Sequence, residues 1–311
     1  MKKIIMTILV IAVVAVAGGF AWGVNYLFNY AIAAGPKDFF GEDDATGSQG
    51  KDIDKWEFAK EPAKVMTQKT DDGLELSGRL FQQEQEGRKK IAIIAHGYTS
   101  SSDFMYDFGK MFYQDGYDIF LADARGHGRS EGKYIGFGWP DRLDYVKWID
   151  QINKEYDNKV DIVLYGISMG ASTVLMTSGE SLPDNVKAIV ADCGYDTVEN
   201  ELSYQLDQMF GLPAFPLIPV TSKYTEMRAG YNFKEASAVK QLEKNQLPIL
   251  FIHGDKDDFV PTDMVYPLYD AAKGPKELYL VPGAKHAEAF KTDPKKYEEV
   301  VNTFLTKYLS E

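Results

Sequence analysis

A chain of 311 residues, 45% hydrophobic and 26% charged, has the composition of a folded protein and room for one large α/β domain or two small ones, which excludes a disordered chain. Its 34 Lys and Arg against 46 Asp and Glu leave a net charge of −12, so the cationic excess that phosphate backbones require is missing and no nucleic-acid partner is expected. One cysteine, Cys193, excludes an intramolecular disulfide and a cysteine-based zinc cluster.

The first predicted element is a transmembrane helix. Lys2 and Lys3 precede an uncharged apolar run from Ile4 to Val24, and about 20 such residues cross a ~30 Å hydrocarbon core. Lysines before the run and GPKDFFGEDD after it predict a single-pass signal-anchor over residues 1–34, N-terminus cytoplasmic and the rest of the chain outside. The competing expectation is a cleaved signal peptide with Ala31-Ile32-Ala33 as the A-x-A site and a secreted product. The run is longer than a usual signal core, which favours the anchor. Residues 35–60, rich in Gly and Asp without apolar period, predict a solvated stalk.

From residue 61 to 311 strand-like and helix-like segments alternate. AKVMTQKT and LELSGRLF flank Asp71-Asp72-Gly73 and predict a hairpin. KKIAIIAHG, YDIFLADARG, VDIVLYGIS, VKAIVADCG, LPILFIHGD and KELYLVPGA are apolar runs suited to a parallel sheet covered on both faces. In PDRLDYVKWIDQINKEY, Leu143, Val146, Ile149, Ile152 and Tyr156 predict one helical face; Tyr297, Val300, Val301, Phe304, Leu305 and Tyr308 predict another. The fold class is therefore α/β, a doubly wound, mostly parallel sheet. Tyr195 to Gln246 is too long for a simple crossover, and insertions of that kind sit over the carboxyl ends of the strands. About 195–246 is accordingly expected to form a helical cap, with TVENELSYQLDQMF as its first helix and the Pro-rich GLPAFPLIPV behind it.

Gly166-Ile167-Ser168-Met169-Gly170 ends one of the buried strands and precedes a helix-like MGASTVLMTSG. That is the setting of a nucleophile elbow, where a serine on a sharp turn needs small neighbours, here Gly166 and Gly170. The turn aims the N–H of Met169 at an incoming carbonyl oxygen. Serine attacks only if a base takes its proton. Of the four histidines, His96 and His127 precede Ser168, and elbow enzymes run nucleophile, acid, base along the chain. Only His286 leaves room for an acid between, so it is the base. Asp255, Asp257 and Asp258 are the candidate acids. Their cluster is not a calcium loop, because Phe259 and Val260 stand where a ligand and a glycine would be needed, and no metal is expected.

HGYTSS, DARGHGRSEG, GISMG, HGDKDDFVP and GAKH, in that order over roughly residues 63 to 310, resemble the α/β-hydrolase superfamily. The likeness is greatest to its bacterial membrane-anchored esterase and serine-aminopeptidase-like branch. The resemblance implies the α/β-hydrolase fold and assigns the acid to Asp257, with Asp258 in reserve. It implies a second oxyanion donor at the backbone N–H of Tyr98, whose bulky ring would flank the acyl site. It gives His127 a structural role and Cys193 no role as nucleophile. Catalysis is expected from Ser168, His286 and Asp257 through an acyl-enzyme, without a cofactor. The cap residues Met209, Phe210 and Phe215, with Tyr98, are the expected pocket, favouring a small ester or acyl substrate with a hydrophobic group of short to medium length. Glu199 and Glu201 would suit the ammonium of an aminopeptidase substrate instead. Thioesterase and acyltransferase chemistry on the same residues, or a catalytically silent membrane-tethered binding module, complete the alternatives.

Overall fold

The computed structural model describes residues 2–35, 37, 51–59, 61–84 and 87–309. Among the described residues eight strands form one sheet: β1 (Lys64–Lys69), β2 (Glu75–Phe81), β3 (Lys89–Ala95), β4 (Asp118–Ala122), β5 (Val160–Ile167), β6 (Val186–Asp192), β7 (Ile249–Gly254) and β8 (Lys276–Val281). Their spatial order is β1-β2-β4-β3-β5-β6-β7-β8. The β1–β2 hairpin and the β2–β4 pair are antiparallel; every pair from β4 to β8 is parallel. The helices are α1 (Lys2–Ala31), α2 (Tyr106–Gln114), α3 (Asp141–Glu155), α4 (Met169–Thr177), α5 (Val198–Phe210), α6 (Ala214–Ala229), α7 (Ala238–Leu242), α8 (Val265–Ala271), α9 (Ala289–Thr292) and α10 (Pro294–Leu309).

Strand alternation builds two cores. Ile91, Ile93, Phe120, Ile162 and Leu164 face one side, with Trp148 of α3 packed on Phe120; Ile94, Leu121, Val163, Tyr165 and Ile252 face the other, against Tyr297, Val301 and Phe304 of α10. The α10 face matches the sequence pattern. In α3 the buried stripe is Tyr145, Trp148, Ile149 and Ile152, whereas Leu143 is exposed and Val146 half-buried. The spacing-three reading is thus corrected: the larger rings at i and i+3 turn the helix towards the sheet.

Within 195–246, α5 and α6 form the cover, while α7 packs beside the sheet against α4 and α8. Thr197 caps α5 by accepting from Asn200 N, and Gly211 ends it in the left-handed region.

The N-terminal region departs furthest from expectation. α1 is long and apolar enough to cross a membrane, and its first part is exposed. Its last turns dock on the domain: Val24, Phe28 and Ile32 are buried, and Phe28 sits between Tyr134 and Tyr224 of α6. Ile135 N donates to Ile32 O, Ala34 N donates to Lys133 O, and Lys37 Nζ donates to the carbonyls of Asn29 and Ala33. Much of the expected stalk, residues 36, 38–50 and 60, lies outside the described residues. Its described part, 51–59, is not a solvated stalk: Ile53 and Trp56 are buried, and Trp56 stacks on Phe81 of β2 at 5.2 Å. Such an irregular segment has no repeat to betray its packing.

Candidate active site

β5 is buried along its whole length and breaks sharply into α4 at Ser168. Ser168 takes φ 55° and ψ −121°, a region non-glycine residues avoid. Its backbone N–H donates to Asp192 O and its carbonyl accepts from Ser172 N, so both neighbouring elements hold the turn. The flanking glycines are obligatory for steric reasons. A Cβ on Gly166 would overlap the carbonyl of Gly170, and one on Gly170 would overlap that of Ala95 on β3. Met169 N–H is the first of α4 and has no acceptor within the helix, which leaves it available to an oxyanion.

Ser168 Oγ lies 2.9 Å from His286 Nε2, and His286 Nδ1 lies 2.8 Å from Asp257 Oδ2. With Nδ1–H donating to the carboxylate, Nε2 is left to accept the serine proton. Asp257 is itself gripped: Oδ1 accepts from Phe259 N and Val260 N. Burial works to raise the Asp257 carboxyl, but hydrogen bonds from His253 and His286 outweigh it and hold it at about 2. It is therefore ionised throughout the neutral range. Asp255 instead accepts from Gly283 N and steadies the turn leading to His286, and Asp258 offers its carbonyl to Tyr204.

His253 was missed by sequence reasoning. It ends β7, fully buried, with Nε2 2.9 Å from Val260 O and 3.3 Å from Asp257 Oδ2. A carbonyl acceptor requires the proton on Nε2, so this ring buttresses the acid loop. The available signal was its position at a strand end four residues before Asp257.

The loop carrying Tyr98 is stitched to the DARGHGRS segment. His96 Nε2 accepts from Ala124 N, His127 Nε2 from Thr99 N, and Asp123 Oδ1 from Ser102 N. Burial, with His96 close by, drives His127 down to about 3, so it serves as a neutral acceptor. Cys193 lies close by, its sulfur within 4.8 Å of ligand-type atoms of Asp257 and His286. Burial pushes that thiol well up, and both His286 nitrogens are already bonded, which fits metal ligation poorly.

An apolar cavity opens on Ser168 and Met169. Tyr98, Met209 and Phe210 line it as the sequence implies; Phe215 does not and is 78% exposed. The correction has a local cause. Phe215 precedes Pro216, which forces it out of helical angles (φ −89°, ψ 132°) and turns its ring outward. The unforeseen wall is α1, which contributes Leu27, Tyr30 and Ala31, with Ile32 just beyond its end. Tyr98 OH donates to Ala31 O at 2.8 Å, tying the loop to that helix. Glu201 of α5 also lines the cavity, fully buried with Oε2 unpartnered; burial raises its carboxyl to about 8.

Comparison with known proteins bears on the family and the fold. A family model described as serine aminopeptidase, S33, matches residues 86–202. The uncharacterized protein YqkD of Bacillus subtilis is 30% identical over 213 residues, 68% of this chain and 70% of that protein. YfhR of Escherichia coli is 26% identical over 206 residues, 64% of this chain and 63% of its own length. Among solved structures, the Pyrococcus furiosus esterase Pf2001 superposes with TM-score 0.65 at 22% identity, covering 90% of this chain and 99% of that one. The Pyrococcus horikoshii acylaminoacyl peptidase gives TM-score 0.60 at 21% identity, over 79% of this chain and 42% of that one. With its mostly parallel eight-stranded sheet and these relatives, the chain belongs to the α/β-hydrolase superfamily, among its serine hydrolases.

Proposed function

We propose that the protein hydrolyses carboxylic esters through an acyl-enzyme, carried by the unbroken hydrogen-bonded chain from Ser168 through His286 to Asp257. Ser168 Oγ bonds to the ester carbonyl carbon as His286 Nε2 takes its proton. Asp257 fixes the ring and stabilises its cationic form. The N–H groups of Tyr98 and Met169 receive the oxyanion. Collapse of the tetrahedral intermediate breaks the C–O bond, and His286 returns the proton to the departing alcohol. Water, deprotonated by the same imidazole, then releases the acid and restores Ser168.

An aminopeptidase reading is supported by the description of the matching family and by Glu201 on the cavity wall. An ammonium would need that carboxyl ionised, yet its burial favours the neutral form up to about pH 8. The other lining groups are mostly apolar, so the ester reading is preferred. The apolar α1 further supports a membrane-anchored enzyme, N-terminus cytoplasmic by the positive-inside rule, which carbonate-resistant pelleting of the full chain would check.

Labelling with a fluorophosphonate, followed by p-nitrophenyl esters beside aminoacyl p-nitroanilides, tests the chemistry. Labelling at Ser168 with turnover of the esters is expected. An unlabelled serine in folded protein would overturn the hydrolase reading, and preferential anilide cleavage would replace esterase by peptidase.

A further inference from the structure

We propose that the substrate reaches Ser168 from a lipid bilayer: it is an uncharged ester with a long acyl chain, and the last turns of α1 form the wall along which that chain enters. This rests on the ester-hydrolase reading. One helix does two things here. From Ile4 to Trp22 its large side chains stand exposed and apolar; from Leu27 to Ala31 it lines the cavity above Ser168. At ~1.5 Å per residue, Leu27 lies only about 7 Å beyond Trp22, so the cavity begins where the hydrocarbon core would end.

The cap leans the same way. Tyr224 OH donates to Asn25 Oδ1, while Arg228, one turn later on α6, lies over Phe28 and bonds Tyr134, which in turn pairs with Ala33. α6 therefore runs beside α1 in the same direction. Exposed Phe215 lies at its start and exposed Leu212 in the preceding turn, which adjoins α1 through Phe210 on Tyr26 and Tyr30. A soluble short ester would gain nothing from this placement. A long chain gains much: every methylene leaving a bilayer for water carries a penalty, which is avoided by sliding directly from hydrocarbon into an apolar cavity. The lining includes no Lys or Arg among the described residues, so a phosphate would find no cationic partner there. That favours an uncharged head group.

The test uses the full chain reconstituted in phosphatidylcholine vesicles, with dioleoylglycerol either in the same vesicles or in a separate population. Oleate release at least 10-fold faster in the shared vesicles, with none from phosphatidylcholine alone, is expected. In detergent, Leu27→Trp should lower the ratio of p-nitrophenyl palmitate to butyrate turnover about 10-fold. Equal rates in the two vesicle arrangements, or an unchanged chain-length ratio in Leu27→Trp, would overturn the inference while butyrate turnover and fluorophosphonate labelling leave the hydrolase reading standing. Loss of labelling and of all ester turnover in the unsubstituted protein would overturn both.

Discussion

The wall of the cavity that carries Ser168 and the wall formed by α1 are held by different forces. On the first, the polar groups are joined in series: Oγ to imidazole, imidazole to carboxylate, carboxylate to two backbone N–H groups. Position there is directional, and small displacements break it. The second wall is made mainly by packing of Val24, Phe28 and Ile32, with Tyr98 OH on Ala31 O as the polar tie to the first. On the proposed reading, the first wall carries the reaction and the second chooses what reacts.

The comparison is sharpest where one side is broken alone. Asp257→Asn should remove the charge that orients His286 and reduce kcat by roughly 10⁴-fold in steady-state ester assays. A far smaller drop would mean that His253 or Asp258 substitutes. Phe28→Ala, on the other wall, should cost roughly 3–5 kcal/mol of unfolding free energy by denaturant titration of the full chain in detergent. No loss would make α1 a mere tether.

Glu201→Gln probes the seam between the walls. Unfolded, this carboxyl titrates near its ordinary 4.5; folded, at about 8. Between those values the unfolded chain has released a proton that the folded one keeps, so this group's contribution to stability is full below pH 4.5 and falls as pH rises to 8. The substitution should flatten that decline, worth on the order of a few kcal/mol, in melts recorded from pH 5 to 8. An unaltered slope would place the ionisation elsewhere. Phe215→Ser, outside both walls, should change stability by less than about 0.5 kcal/mol.

The proposed reacting groups were legible because their constraints are local. Gly166 and Gly170 are dictated by steric overlap within a few residues of Ser168, and chain order alone singles out His286. Asp257 required the resemblance; nothing in three neighbouring aspartates distinguishes the one that two backbone N–H groups hold. His253 stayed hidden because its role depends on the register of β7. Phe215 was misplaced since composition shows that a segment is apolar, not which way a proline turns it. The α1 wall was beyond reach: its pairing with Tyr98 joins residues 67 apart in sequence, and no periodicity within either segment encodes it.

The tie between Tyr98 and Ala31 bears on whether this enzyme could be shed. A protease cutting ahead of Phe28 would strip away Leu27, open the cavity to solvent and leave Ala31, to which Tyr98 is tied, on a shortened helix. Within the folded molecule Ile32 is fully enclosed and Ala33 is bridged to Tyr134, so a leader peptidase, which reads extended chain, would find its A-x-A sequence already occupied. If the proposed entry route holds, a form released there would lose the wall that selects the acyl chain.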